Sequence, residues 1–132
     1  MFTLADAMST DLKKIYSETS VTQAAKRMRA ERVGALVIER VGKLLKDREA
    51  HIVGLITEAD IVRKAVADEV DLANTAVDQV MTSPMITVEA TWPLTEAYDM
   101  MRDSGVRHLL VTNKEKVVGI VSIRDLLVRL QR

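Results

Sequence analysis

Cysteine is absent from the chain, which removes disulfides, thiolate metal sites and cysteine nucleophiles together and is compatible with a reducing compartment. An excess of charge of either sign is also missing. The 19 Lys and Arg balance the 19 Asp and Glu, so no overall field draws the chain to nucleic acid, and no local basic stripe replaces one. Long hydrophobic runs are lacking too. Ile52–Ile56 and Val117–Val121 fall far short of the roughly 20 residues of a membrane helix. The opening residues Met1–Ala7 have neither the basic start nor the apolar core of a signal peptide. The two histidines, His51 and His108, lie far apart and give no metal-ligand spacing. No serine-histidine-acid set, paired catalytic acids or glycine-rich phosphate loop can be assembled. The expectation is a cytoplasmic, non-enzymatic protein without a required cofactor, a metal, a membrane span or a nucleic-acid partner.

What is present is repetition. The 132 residues, 48% apolar and 29% charged, suit one compact domain or two small halves that share a core. An offset of 73 places Met8-Ser9 on Met81-Thr82, Ala24 on Ala97, Met28 on Met101, Val33 on Val106 and Leu36 on Leu109. Beyond Ile38 the offset falls to 65, where Val53-Gly54-Leu55-Ile56-Thr57-Glu58-Ala59-Asp60 meets Val118-Gly119-Ile120-Val121-Ser122-Ile123-Arg124-Asp125. The change in offset is an eight-residue insertion in the first copy, within residues 39–51. Insertions settle in exposed turns, so both intervals read as hairpin connections.

Each copy spells the same elements. A short helix (Leu4–Met8 or Val77–Met81) precedes a brief extended piece (Lys14–Tyr16 or Met85–Val88). An amphipathic helix follows. Ser20 opens it in the first copy in a capping-box pattern with Gln23, and Val21, Ala24, Ala25 and Met28 share a face. In the second copy Pro93 stands where the first turn begins, and Leu94, Ala97, Tyr98 and Met101 repeat that face. Two β-rich hairpins, Gly34–Ile38 with Ile52–Ile56 and Val106–Val111 with Val117–Val121, lead into closing helices over Glu58–Ala67 and Ile123–Leu130. A single β-α-β-β-α unit is too small to bury its sheet, so two should share a core.

The Met-hydroxyl opening, the Ala-x-x-x-Met helix, the strand Gly105-Val106-Arg107-His108-Leu109 and the Gly-apolar-apolar-hydroxyl-x-x-Asp closing resemble the cystathionine-β-synthase (CBS) domain. Both halves match, from about Leu4 to Leu130, so the chain resembles a free-standing CBS pair, or Bateman module, with no room for an attached enzyme or transporter domain. The resemblance implies an α+β fold of two tandem β-α-β-β-α repeats with pseudo-twofold symmetry. Repeat 1 would span 1–67, a linker 68–76 and repeat 2 77–132. It further implies two clefts that take adenosine-containing ligands, with AMP, ADP, ATP, S-adenosylmethionine and NAD as candidates. A homodimer through the helices and an unidentified effector protein complete the expectation, the alternative being an interaction module with vestigial clefts.

Asp60 and Asp125 are each suited to accept hydrogen bonds from two vicinal hydroxyls, the role that the resemblance assigns to that position. Thr57 and Ser122 stand at strand-to-helix turns, where a hydroxyl and free N–H groups can meet a phosphate. By resemblance Leu55 and Ile120 form the apolar wall against adenine, and Thr82 and Ser9 lie near its edge. The same hydroxyl-x-x-acid spacing is equally a helix capping box without a ligand, and both readings stay open at this point. Arg107, His108 and Arg124 break the symmetry, since Gly34, Ala35 and Ala59 replace them in the first copy. Two unequal sites are therefore expected, with the second copy better equipped for phosphate. His51 and the insert Lys43–Glu49 read as exposed turn, with Leu44 and Leu45 an optional partner contact. Trp92 reads as a hydrophobic cover, and Met28, Met100 and Met101 as packing.

Overall fold

The computed structural model describes residues 2–42, 50–82 and 85–130. The insert Lys43–Glu49 with its two leucines lies outside the described residues. Two compact units make up the chain: Lys13–Met85, and Met1–Leu12 with Ile86–Arg132. The units therefore do not coincide with the sequence repeats. Each unit takes its opening helix from the other copy.

In the Lys13–Met85 unit, β1 (Lys14–Tyr16), α2 (Val21–Glu31), β2 (Ala35–Val41) and β3 (Ala50–Thr57) follow in order, with the short helix α1 (Leu4–Ala7) preceding them in the other unit. Ser20 Oγ accepts the Gln23 N–H at 3.1 Å, so the sequence-derived start of α2 stands. Arg32 ends the helix in the left-handed conformation at φ 56°, a position a glycine more often fills. The sheet order is β1-β2-β3, with β1 parallel to β2 and β3 antiparallel to it. Val21, Ala24 and Met28 of α2 pack with Ile15, Leu36, Ile38 and Ile56 of the sheet. After β3, one α-helical turn, α3 (Glu58–Asp60), widens into a π-helical stretch over Ile61–Val66. The sequence expects one regular helix here. Ile61, Val62 and Val66 are β-branched and crowd an α-helical turn, whereas the matching helix of the other unit carries leucines.

Residues 68–76, expected as a linker, are tied to this unit. The Val21 and Thr22 N–H groups donate to Thr75 O at 2.9 Å and Leu72 O at 3.1 Å, and Val70 and Leu72 pack on the core. A 3₁₀ turn at Val77–Gln79 follows, shorter than the helix expected there. Its Val77 is fully buried in this core.

The second unit repeats the plan with β4 (Thr87–Glu89), α4 (Leu94–Ser104), β5 (His108–Asn113), β6 (Lys116–Ser122) and α5 (Ile123–Leu130), in sheet order β4-β5-β6. Pro93 is the N-cap of α4 rather than its first helical residue, and Gly105 ends the helix at φ 70°. Leu4 of α1 is fully buried beside Val88, Leu94, Leu109, Val111, Val121 and Leu126. Both hairpins carry a register shift at the same place, after Ile38 and after Val111.

The motif glycines lie opposite those shifts, Gly54 across from Ile38 and Gly119 across from Val111. Each is covered by the methionine that arrives from the other copy. A Cβ on Gly54 would stand 2.5 Å from Met81 Sδ, and one on Gly119 would stand 2.6 Å from Met8 Sδ and 2.9 Å from Ser9 O. Alanine at either position must push something aside. At Gly54 only a flexible thioether gives way, but at Gly119 the backbone carbonyl of Ser9 is in the path. Urea denaturation should show Gly119→Ala losing about 1–3 kcal/mol and Gly54→Ala losing clearly less.

Candidate functional site

The Met-hydroxyl segments that cover the glycines also bring hydroxyls to the closing motifs. In the Lys13–Met85 unit the Thr82 N–H donates to Leu55 O at 2.8 Å in an antiparallel bridge. Its hydroxyl reaches Asp60, 3.0 Å from Oδ1 and 2.8 Å from Oδ2. Asp60 Oδ2 also accepts from the Thr57 N–H at 2.9 Å and the Thr57 hydroxyl at 3.0 Å. Thr57 Oγ1 in turn accepts the Asp60 N–H at 3.1 Å, closing a reciprocal capping box. Lys64 completes the set, with Nζ 3.1 Å from Asp60 Oδ1 and 3.2 Å from Met81 O. Leu55, Thr57, Asp60 and Thr82 thus form one cluster. Asp60 is 7% exposed and Leu55 6%.

The second unit keeps the box and lacks the rest. Asp125 Oδ2 accepts from the Ser122 N–H and hydroxyl, each at 2.9 Å, and Ser122 Oγ accepts the Asp125 N–H at 3.2 Å. Asp125 Oδ1 has no partner among the described residues. Ser9 stands where Thr82 stands in the first unit, bridged to Ile120 by a bond in each direction at 2.8 and 2.9 Å. Its hydroxyl accepts the Asp11 N–H at 3.3 Å and does not reach Asp125. Arg129, the counterpart of Lys64, lies over the Phe2 ring with its guanidinium carbon 5.6 Å from the centroid.

Arg107 and His108 meet the closing motif through the backbone. His108 pairs with Ser122 across the hairpin, and Arg107 O accepts the Ile123 N–H at 2.9 Å. At the matching place in the first unit Gly34 O accepts the Glu58 N–H at 3.0 Å and Ala35 pairs with Thr57. Arg107 and Arg124 are exposed, His108 and Ile120 half-buried. Neither arginine meets a carboxylate among the described residues. Ile120, Ser122, Asp125, Arg107, His108 and Arg124 are therefore gathered at one hairpin-to-helix junction.

Both carboxylates adopt the capping-box geometry, one of the two readings the spacing allows. Asp125 keeps an open oxygen as well, whereas the acceptor sites of Asp60 are taken. Sequence reasoning passed over Lys64. Its signal was an acid–lysine pair at i, i+4 at a helix start, a spacing that suits ion pairing. Among the described residues no group of three or more acids and histidines is arranged to hold a metal, and no helix is long and apolar enough to cross a membrane.

Two β-α-β-β-α units with crossed openings and duplicated closing motifs define a tandem-repeat module. The CBS-domain family model matches residues 4–67 and 77–132, and the chain belongs to the CBS-domain family. An uncharacterized 17.7 kDa protein of Acidianus ambivalens is 34% identical over 119 residues, covering 89% of this chain and 66% of that protein. The mitochondrial CBS domain-containing protein CBSX3 of Arabidopsis thaliana is 32% identical over 111 residues, 83% of this chain and 52% of that one. The chain thus spans about half to two thirds of the length of these relatives. Among solved structures, an uncharacterized conserved protein from Pyrococcus horikoshii superposes with TM-score 0.85 at 27% identity over 99% of this chain and 93% of its own. A putative signal-transduction protein with CBS domains from Burkholderia ambifaria superposes with TM-score 0.82 at 28% identity, over 96% and 90%.

Thr82→Val removes the hydroxyl that serves both oxygens of a buried carboxylate, and should cost about 1–3 kcal/mol. Ser9→Ala, at an exposed hydroxyl that does not touch Asp125, should stay within about 0.5 kcal/mol. Paired urea titrations compare the two, and equal losses would contradict the asymmetry of the two carboxylates.

Proposed function

We propose that this protein is a non-catalytic sensor of adenosine-containing nucleotides that binds them at the Ser122–Asp125 junction and signals to a partner protein through a change of shape or association. The observation that carries the proposal is Asp125 itself, with Oδ2 held by Ser122 and Oδ1 without a partner among the described residues. A carboxylate fixed at one oxygen and free at the other is preorganised to accept hydroxyl donors such as those of a ribose. Ile120 supplies apolar surface on the same strand. Arg107 and Arg124 supply permanent positive charge near the same turn, and His108 charge that depends on pH. Relatives that include a putative signal-transduction protein support a regulatory role. The candidate ligands are AMP, ADP, ATP, S-adenosylmethionine and NAD, and the expected compartment is the cytoplasm.

A second reading, an interaction module that pairs with a second copy, is favoured by one observation. The exposed apolar residues Val62 and Val66 lie after β3, and Leu127, Val128 and Leu130 lie at the matching place after β6. A homodimer through these faces is compatible with nucleotide binding, and becomes the leading function if no nucleotide binds.

Thermal-shift measurements with each candidate at millimolar concentration separate the two. A site of ~10 µM affinity adds about 2.7 kcal/mol at 1 mM ligand, a rise of several degrees in Tm. Asp125→Ala should abolish that rise. Asp125→Glu should keep the cap, since glutamate suits this position of a capping box, and still weaken binding at least tenfold by displacing the free oxygen. If Asp125→Ala lowers the unliganded Tm while binding stays intact in both variants, Asp125 is only a cap. Absence of any shift with the wild-type chain favours the interaction module.

A further inference from the structure

The two closing motifs are alike in sequence and unlike in occupancy, and the difference lies in two side chains, Thr82 and Lys64, of which only the lysine brings charge. Around Asp60 the Lys64 ammonium sits 3.1 Å from Oδ1 and 3.2 Å from Met81 O, while Thr82 donates to both carboxylate oxygens. The lysine thereby ties the crossing Met81-Thr82 segment to the carboxylate as well as neutralising it. Around Asp125 nothing comparable is present among the described residues. The residue that corresponds to Lys64 is Arg129, drawn away onto Phe2, and the residue that corresponds to Thr82 is Ser9, turned to Asp11. We infer that Lys64 is the residue that sets how many nucleotides one chain accepts. Its ammonium occupies Asp60 Oδ1, the oxygen that stays open in Asp125, and so completes the closure of the Asp60 motif that the Thr82 hydroxyl begins. This inference rests on the nucleotide-binding reading given above.

Two features make the closure reversible rather than permanent. The Lys64 side chain is 46% exposed although its partner is only 8% exposed, so the ammonium is exchangeable with solvent. Lys64 also lines a groove of about 650 Å³ together with Asp68, Asn74, Thr75 and Gln79. The side chain therefore borders open space that a second carboxylate, Asp68, also lines. A lysine at this place acts as an internal competitor whose strength depends on charge. Methionine keeps the aliphatic stem and its packing while removing that charge.

Calorimetric titration of the full chain with AMP, on the wild type and on Lys64→Met, tests the inference. The wild type should take one equivalent. Lys64→Met should take two, and the double variant Lys64→Met with Asp125→Ala should take one again. A folded Lys64→Met that still takes one equivalent overturns the inference, and so does a wild type that takes two, which would leave the nucleotide-binding reading standing. A wild type that takes none beside a Lys64→Met that takes one removes the Asp125 site and keeps the lysine closure. No binding by either chain overturns both. If Lys64→Met does not fold, amide shifts of the wild type decide the matter. On adding AMP, Ser122 and Asp125 should move and Thr57 and Asp60 should not, and equal movement at both motifs overturns the closure.

Discussion

The contact on which both units depend is the seating of a methionine against a motif glycine. Met81 covers Gly54 and Met8 covers Gly119 so closely that even a methyl group would have to displace the methionine sulfur. The hydroxyl residue that follows each methionine then bridges the strand one residue past the glycine, Thr82 to Leu55 and Ser9 to Ile120. A loosely packed segment could not hold this register, because a pleated strand exposes alternate faces and a slip of one residue would replace the glycine by a bulky side chain. The bridge in turn decides where each hydroxyl lies relative to the aspartate in the helical turn that follows the same strand.

Each unit is completed by a piece of chain from the other sequence repeat, and the consequence is energetic as well as topological. Leu4 and Val77 are fully buried in cores built mainly by the opposite copy, Val77 together with Val80. Each visiting segment adds apolar cover to a three-stranded sheet, and small cores tolerate little loss. The duplicated motif therefore serves structure first. The capping boxes at Thr57–Asp60 and Ser122–Asp125 start the closing helices, and any ligand chemistry is added to that role. A carboxylate already held by its cap loses little further freedom on meeting a ligand, so the two roles are compatible.

Divergence between the copies then lies in the shell around the aspartates. In one unit a threonine and a lysine converge on the carboxylate, and in the other a serine and an arginine stand at the same places and engage other groups. Serine and threonine, or lysine and arginine, count as conservative exchanges, yet arginine's planar group stacks on an aromatic ring where lysine's compact ammonium settles between two oxygens. The basic pair Arg107 and His108 accentuates the contrast, standing where the first unit has Gly34 and Ala35.

Much of this was legible in the order of residues. Periodicity and caps located α2, α4 and α5, the paired apolar runs located both hairpins, and the offsets of 73 and 65 revealed the duplication. These are local or nearly local properties, written in spacing. The π-helical winding at Ile61–Val66, the attachment of residues 68–76 to α2 and the exchange of opening helices were not legible. The last two depend on contacts between residues distant in sequence, whose partners no spacing rule names, while the winding follows from β-branched crowding that a helical period does not register. The same division runs through the candidate site. By itself the sequence determined that two hydroxyl-x-x-Asp motifs exist and that the second stands beside more positive charge. Only the tertiary structure decided that Asp60 is filled and Asp125 half open. Which donors reach a carboxylate is set by how a crossing segment packs three-dimensionally, and that packing is a property of the folded core.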